Sequence, residues 1–223
     1  MGNRCTITRP QKDVYIYLHW NGGRDSVEAF LEYCRLRNFR SPESDSYGLA
    51  RLTQVVANFF GGGLSIGIGA VGENIKSINP GDNGCYVVGE DWKIVERLFF
   101  NGAEQNTFDR AKMLIAIDEA QPQKEQLGKE FLSGEEVPTN ELKVGDVVYI
   151  PDWEGVYSRA NVAGIGEDRF VNGRNVAGIP YTDRYLPNNI NSYILTPAVR
   201  RAVSASTVST SDEDLRDMLS PLC

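Results

Sequence analysis

Between Val14 and Leu31 the chain passes from strand to helix across two glycines, and this change of period constrains everything around it. Val14-Tyr15-Ile16-Tyr17-Leu18 is apolar or aromatic at every position, as in a strand covered on both faces near the middle of a sheet. After His19-Trp20-Asn21-Gly22-Gly23-Arg24, the residues Val27, Phe30, Leu31 and Cys34 recur at i, i+3, i+4 and i+7, one apolar stripe of a helix. Asp25 and Glu28 stand at capping-box spacing. The same short run holds the chain's single histidine.

The rest of the first half falls into place around it. Cys5-Thr6-Ile7-Thr8 reads as a strand joined to Val14–Leu18 by a turn through Pro10 and Asp13. A second helix is expected from Tyr47 to Phe60, stopped by Gly61-Gly62-Gly63. Leu64–Gly69 alternates apolar and small residues, as in a strand packed under helices. Residues 85–88 and 92–100 predict a second hairpin, and Thr107 caps a third helix ending before Pro122.

Residues 121–140 are rich in Gln, Glu, Lys and Gly and read as a solvated linker, partly helical around Gln126–Leu132. Beyond them come short strands at 142–150, 156–164, 168–172, 175–181 and 192–196 with no helical period between, the pattern of a small barrel. Asn161-Val162-Ala163-Gly164-Ile165 recurs as Asn175-Val176-Ala177-Gly178-Ile179, consistent with equivalent strands. The expected class is therefore α+β: an N-terminal domain over 1–120 with an antiparallel sheet and three helices, a linker over 121–140, and an all-β, SH3-like barrel over 141–200. Residues 201–223 form an acidic tail with a short helix around Leu215–Leu219.

Charge and cysteine usage narrow the chemistry. With 23 basic and 30 acidic residues the formal charge is −7, which argues against direct nucleic-acid binding or an anionic membrane surface. No apolar run reaches the ~18 residues a membrane span needs. Met1-Gly2-Asn3-Arg4-Cys5-Thr6 fits a loose myristoylation pattern, but the strand beginning at Cys5 leaves little free arm. Cys5, Cys34, Cys85 and Cys223 form no C-x-x-C pair, so neither a metal site nor a cofactor is expected. They read as small hydrophobes in a reducing cytoplasm.

Three functions fit the strand–glycine–helix run. His19, Trp20, Asn21, Gly22, Gly23 and Arg24 could form a protein-binding surface, since aromatic and arginine side chains dominate interface energies. Gly22, Gly23 and Arg24 at a helix start could hold the phosphate of a small molecule, although no P-loop or dinucleotide fingerprint is present. Cys5 falls opposite Leu18 or His19 across the first hairpin, which allows a thiol–imidazole pair and a thiol enzyme. No third residue completes a catalytic set, and no catalytic residue is assigned.

The run Gly2-Asn3-Arg4, Ile7-Thr8 and Tyr17 through Phe30, with Gly48–Leu52 and Asn58-Phe59-Phe60-Gly61-Gly62, resembles a family of uncharacterised proteins of phages and conjugative elements of gut bacteria. The resemblance covers residues 2–120 and brings no activity with it. It implies a setting: an accessory protein of a mobile element that inhibits a host defence system, anti-CRISPR-like or otherwise, by contact with a host protein such as a defence nuclease. That step is analogy from setting. The oligomeric state stays open.

Overall fold

The computed structural model describes residues 2–43, 46–61, 65–106, 108–138, 141–143, 145–151, 157–165, 169–174, 180–181 and 198–202. It is α+β with two sheets, divided into two units, one holding residues up to Gln126 and the other starting at Leu127. The expected strand at 192–196, Thr107, the second copy of the Asn-Val-Ala-Gly-Ile echo, and the tail beyond Ala202 lie outside the described residues.

In the first unit β1 (Cys5–Thr8) and β2 (Val14–Leu18) form the expected hairpin, with Cys5 opposite Leu18 and Ile7 opposite Ile16. Helices α1 (Arg24–Leu36) and α2 (Ser46–Phe60) follow. Then come β3 (Ile66–Ala70), β4 (Cys85–Val88), β5 (Ile94–Leu98) and α3 (Arg110–Glu119). The sheet order is β3-β2-β1-β4-β5. It is mixed rather than antiparallel as expected, because β4 runs parallel to β1, with Ile7 against Tyr86. Residues 71–84 make this crossover, and the Asn83 N–H reaches the Arg4 carbonyl at 2.9 Å.

The core follows from the two periods. Cys5, Ile7, Ile16, Leu18 and Tyr86 share one sheet face and are buried, as are Val27, Phe30, Leu31 and Cys34 of the α1 stripe. Each large apolar side chain so buried contributes about 1.5–3 kcal/mol. Polar bonds fix how the helices meet. The Tyr33 hydroxyl donates to Asp118 at 2.7 Å, both side chains buried, and Gln121 donates to the Val55 and Ile117 carbonyls. Asp109 is the cap of α3, accepting from the Lys112 N–H at 2.9 Å.

β3 is an edge strand, not one packed under helices, and Ile68 is 67% exposed. Its glycines answer to the tyrosines of β2. Gly67 and Gly69 pair with Tyr17 and Tyr15, and a Cβ on Gly69 would lie 2.4 Å from the Tyr15 ring.

The helical part expected within residues 121–140 is present, and a strand follows it. These residues carry a 3-10 turn at Gln123–Glu125, the short helix α4 (Lys129–Leu132) and strand β6 (Glu135–Pro138). The second unit continues with β7 (Val147–Pro151), β8 (Tyr157–Ile165), β9 (Arg169–Arg174), β10 (Pro180–Tyr181) and β11 (Ala198–Arg201). Their order is β10-β9-β8-β7-β11-β6, and among the described residues the sheet does not close into a barrel. Phe131 anchors this unit. It is buried, its ring meets Tyr149 and Tyr157, and the Arg200 guanidinium lies 5.0 Å above it. Arg200 also donates to the Leu132 carbonyl at 2.7 Å. A residue that composition assigns to a linker is thus a centre of the second core.

Candidate functional site

The expected site, residues 19–24, joins the end of β2 to α1. His19 continues the β2 register, its N–H donating to the Ser65 carbonyl at 2.8 Å. Strand alternation sets it one residue past Leu18 and therefore with Tyr15 and Tyr17, on the face opposite Cys5. The Cys5–His19 pair does not form. Instead the His19 Nδ1 and Tyr17 hydroxyl are 3.1 Å apart, and the His19 and Trp20 rings meet edge to face at 4.7 Å. Cys5 is fully buried, and burial first, then the nearby Cys85 thiol, pushes its own thiol's pKa far up. A thiolate nucleophile is disfavoured there. Cys34 and Cys85 are buried with raised pKa values for the same leading reason.

The two glycines are required by close packing. The Gly22 N–H donates to the Asn3 carbonyl at 2.8 Å, and its carbonyl accepts from the Tyr86 hydroxyl at 3.1 Å. A Cβ on Gly22 would lie 2.7 Å from the Arg4 and Cys5 backbone. One on Gly23 would lie 2.4 Å from the Gln105 carbonyl oxygen. Residues 3–5 and the loop after β5 therefore press on the turn from two sides.

That loop also occupies the start of α1. Gly23 is the N-cap and supplies no side chain, so Asp25 and Glu28 do not form a capping box. Asp25 accepts from Ser26 at 2.7 Å and from the distant Phe108 N–H at 2.8 Å, while its own N–H reaches Asn106 at 3.4 Å. Glu28 turns instead to Arg24, 2.8 Å away and half exposed. An anion arriving here would meet a carboxylate already in place and an arginine already paired, which weakens the phosphate reading.

Beneath the turn lies an amide network. Asn83, fully buried, donates to Asn3 at 2.7 Å, to the Arg4 carbonyl at 3.2 Å and to Gln105 at 3.3 Å. Arg97 donates to the Asn83 carbonyl at 2.9 Å, pairs with Glu104 and stacks on Phe100 and Tyr86. Asn21 Nδ2, Asn83 Oδ1 and one terminal nitrogen of Arg97 are buried without a hydrogen-bond partner. Asn21 takes a left-handed φ of 54°, a conformation asparagine tolerates better than most residues. At the outer edge Arg4 holds Asp82 through two bonds of 3.0 and 3.1 Å, which keep that carboxyl below its usual range.

The structure therefore brings His19 and Trp20 together with Tyr17 on one side of the turn, and Arg24 with Glu28 on the helix. Asn3, Asn83, Arg97 and Gln105 escaped sequence reasoning because each is polar, isolated in sequence and joined to the turn only by the fold. Among the described residues, no group of three or more His, Cys, Asp or Glu could hold a metal ion, and no helix is long and apolar enough to cross a membrane. Comparison with protein-family models, curated proteins and solved structures finds no match to this chain.

Proposed function

We propose that this chain is a binding protein of a mobile genetic element that inhibits a host defence complex by protein contact, with the β2–α1 turn as its working surface. The observation that carries this reading is the Tyr17–His19–Trp20 cluster. Its rings touch one another beside a closely packed turn in which no side chain fits at Gly22 or Gly23. A pre-ordered, partly exposed aromatic anchor loses little entropy on binding, which is what an interface hot spot requires. The mobile-element setting comes from the resemblance of residues 2–120, and the defence target from that setting. We infer further that the second unit is SH3-like: β7 to β10 form a meander, and β11 returns to pair with β7.

The test is phage plating on a host whose nuclease-based defence restricts the phage, with and without this chain expressed. Plating should rise with the chain and fall back with a folded Trp20→Ala variant. Unchanged plating across a panel of defence systems rejects the inhibitor. Full activity of folded Trp20→Ala and Arg24→Ala variants rejects the surface.

A further inference from the structure

At the opposite end of α1 the chain gathers positive charge on aromatic rings. After Leu36 it turns through Arg37 and Asn38, the latter with a left-handed φ of 52°. The Arg37 guanidinium lies 5.3 Å from the centre of the Phe39 ring, and that of Arg51, from α2, lies 5.7 Å from the same ring. Alongside, Arg40 stands 5.9 Å from the ring of Tyr47, which is 64% exposed. Phe39 is itself held, because the Trp92 indole N–H donates to its carbonyl at 2.9 Å.

The pairing of Arg37 and Arg51 sets them apart. Elsewhere in the first unit Arg4, Arg9, Arg24, Arg35, Arg97 and Arg110 each hold a carboxylate. Arg37 holds none among the described residues, and Arg51 bonds only the neutral Gln54 amide, at 2.9 Å. In a protein of charge −7, acidic partners are plentiful, yet two guanidiniums converge on one ring unneutralised. Solvated arginines with no further role would be free to spread apart and lower their mutual repulsion.

We propose that the Arg37–Phe39–Arg51 patch, with Arg40 and Tyr47 beside it, docks an acidic segment of a partner protein. Both guanidiniums lie within cation–π range of Phe39, and the guanidinium fork is suited to bidentate bonds to carboxylates. Charge complementarity selects the partner. A long nucleic acid fits less well, because the negative charge of the whole molecule repels it and the basic surface is short. Next to the ring is a hollow of about 260 Å³ whose lining includes Arg35, Phe39, Glu90, Asp91 and Trp92.

The test is fluorescence anisotropy on the full chain with three probes: a labelled Asp/Glu/Leu peptide, the same peptide with Lys for its acids, and oligo-dT. The acidic peptide should bind, and more weakly as salt rises. The double variant Arg37→Gln/Arg51→Gln should lose about tenfold or more in affinity with its melting temperature unchanged. Arg37→Lys/Arg51→Lys keeps the charge and loses the fork, so its affinity should fall between the two, and it replaces the glutamine variant if that fails to fold. The proposal is overturned by failure of the acidic peptide to bind, by tighter binding of oligo-dT or the lysine peptide, or by full affinity in either double variant.

Discussion

Gly23→Ala separates close packing from conformational freedom as the reason for a glycine. Gly23 has φ −62° and ψ 155°, angles that alanine adopts without strain. On backbone grounds alone the substitution should stabilise by about 0.4–1 kcal/mol, through a less free unfolded chain. The structure opposes this. The new Cβ would lie 2.4 Å from the Gln105 carbonyl oxygen and 2.9 Å from Asp25 Oδ1, so one side must yield by about 1 Å to reach ordinary contact. Such overpacking costs about 1–3 kcal/mol. If the loop retreats it also strains the Phe108–Asp25 bond, and a hydrogen bond to a charged group is worth about 1.5–3 kcal/mol. The expected net is about 2–4 kcal/mol of destabilisation. Gly67→Ala is the control: it is an extended strand residue whose Cβ would sit 3.8 Å from Tyr17, so it should be neutral or stabilising by up to about 1 kcal/mol. Urea unfolding decides. With a slope of about 2 kcal/mol/M, the Gly23→Ala midpoint should drop by about 1–2 M while that of Gly67→Ala holds or rises. A Gly23→Ala protein as stable as the parent would refute the close-packing account of the turn.

Arg24→Ala removes an exposed pair to Glu28, so its melting temperature should hardly move; such pairs are worth about 0.3–0.5 kcal/mol. A large loss of stability would show that the arginine is structural. In a Cys223→Ser background, the buried Cys5, Cys34 and Cys85 should resist a thiol reagent until urea unfolds the protein; rapid labelling in buffer would contradict their burial. Stability should fall in alkali. Burial raises the pKa values of the Tyr33 and Tyr86 hydroxyls and of the Cys5 and Cys34 thiols, and for Tyr33 the bond to Asp118 adds to it. Groups raised in the folded state stabilise fully below their unfolded pKa values, about 8.5 for Cys and about 10 for Tyr, and that contribution is lost as pH climbs beyond them. A urea midpoint that stays flat from pH 7 to about pH 10.5 would count against this burial.

What could be read from the sequence was what is local. The i, i+3, i+4, i+7 stripe of α1 is buried as its period requires, and the hairpin turn sets Cys5 opposite Leu18. The parallel pairing of β1 with β4 could not be read, since nothing in Thr6-Ile7-Thr8 names Cys85-Tyr86-Val87 as a partner. The capping box failed because the helix starts earlier than its spacing implies, with Gly23 as the cap, and Asp25 inside the first turn accepts from Phe108, far along the chain. The thiol pair failed on a one-residue offset, because in a strand a neighbour in sequence belongs to the other face. Of the expected site, His19 lies in contact with Trp20 and with Tyr17. The site's glycines are explained by packing, and the amides beneath them had no signal in the sequence.

The crossover also bears on how the chain comes off the ribosome. The bonds joining Arg4 to Asp82 span 78 positions. At roughly 5–20 residues per second, synthesis takes several seconds to cover that distance, whereas a hairpin forms in about 1–10 μs. For that interval β1 and β2 stand as a pair whose central strand shows a bare hydrogen-bonding edge, and such a pair is marginal alone. The strand at the centre of the sheet thus keeps one edge uncovered until residues 85–88 emerge, and until then that edge is open to any other strand that passes.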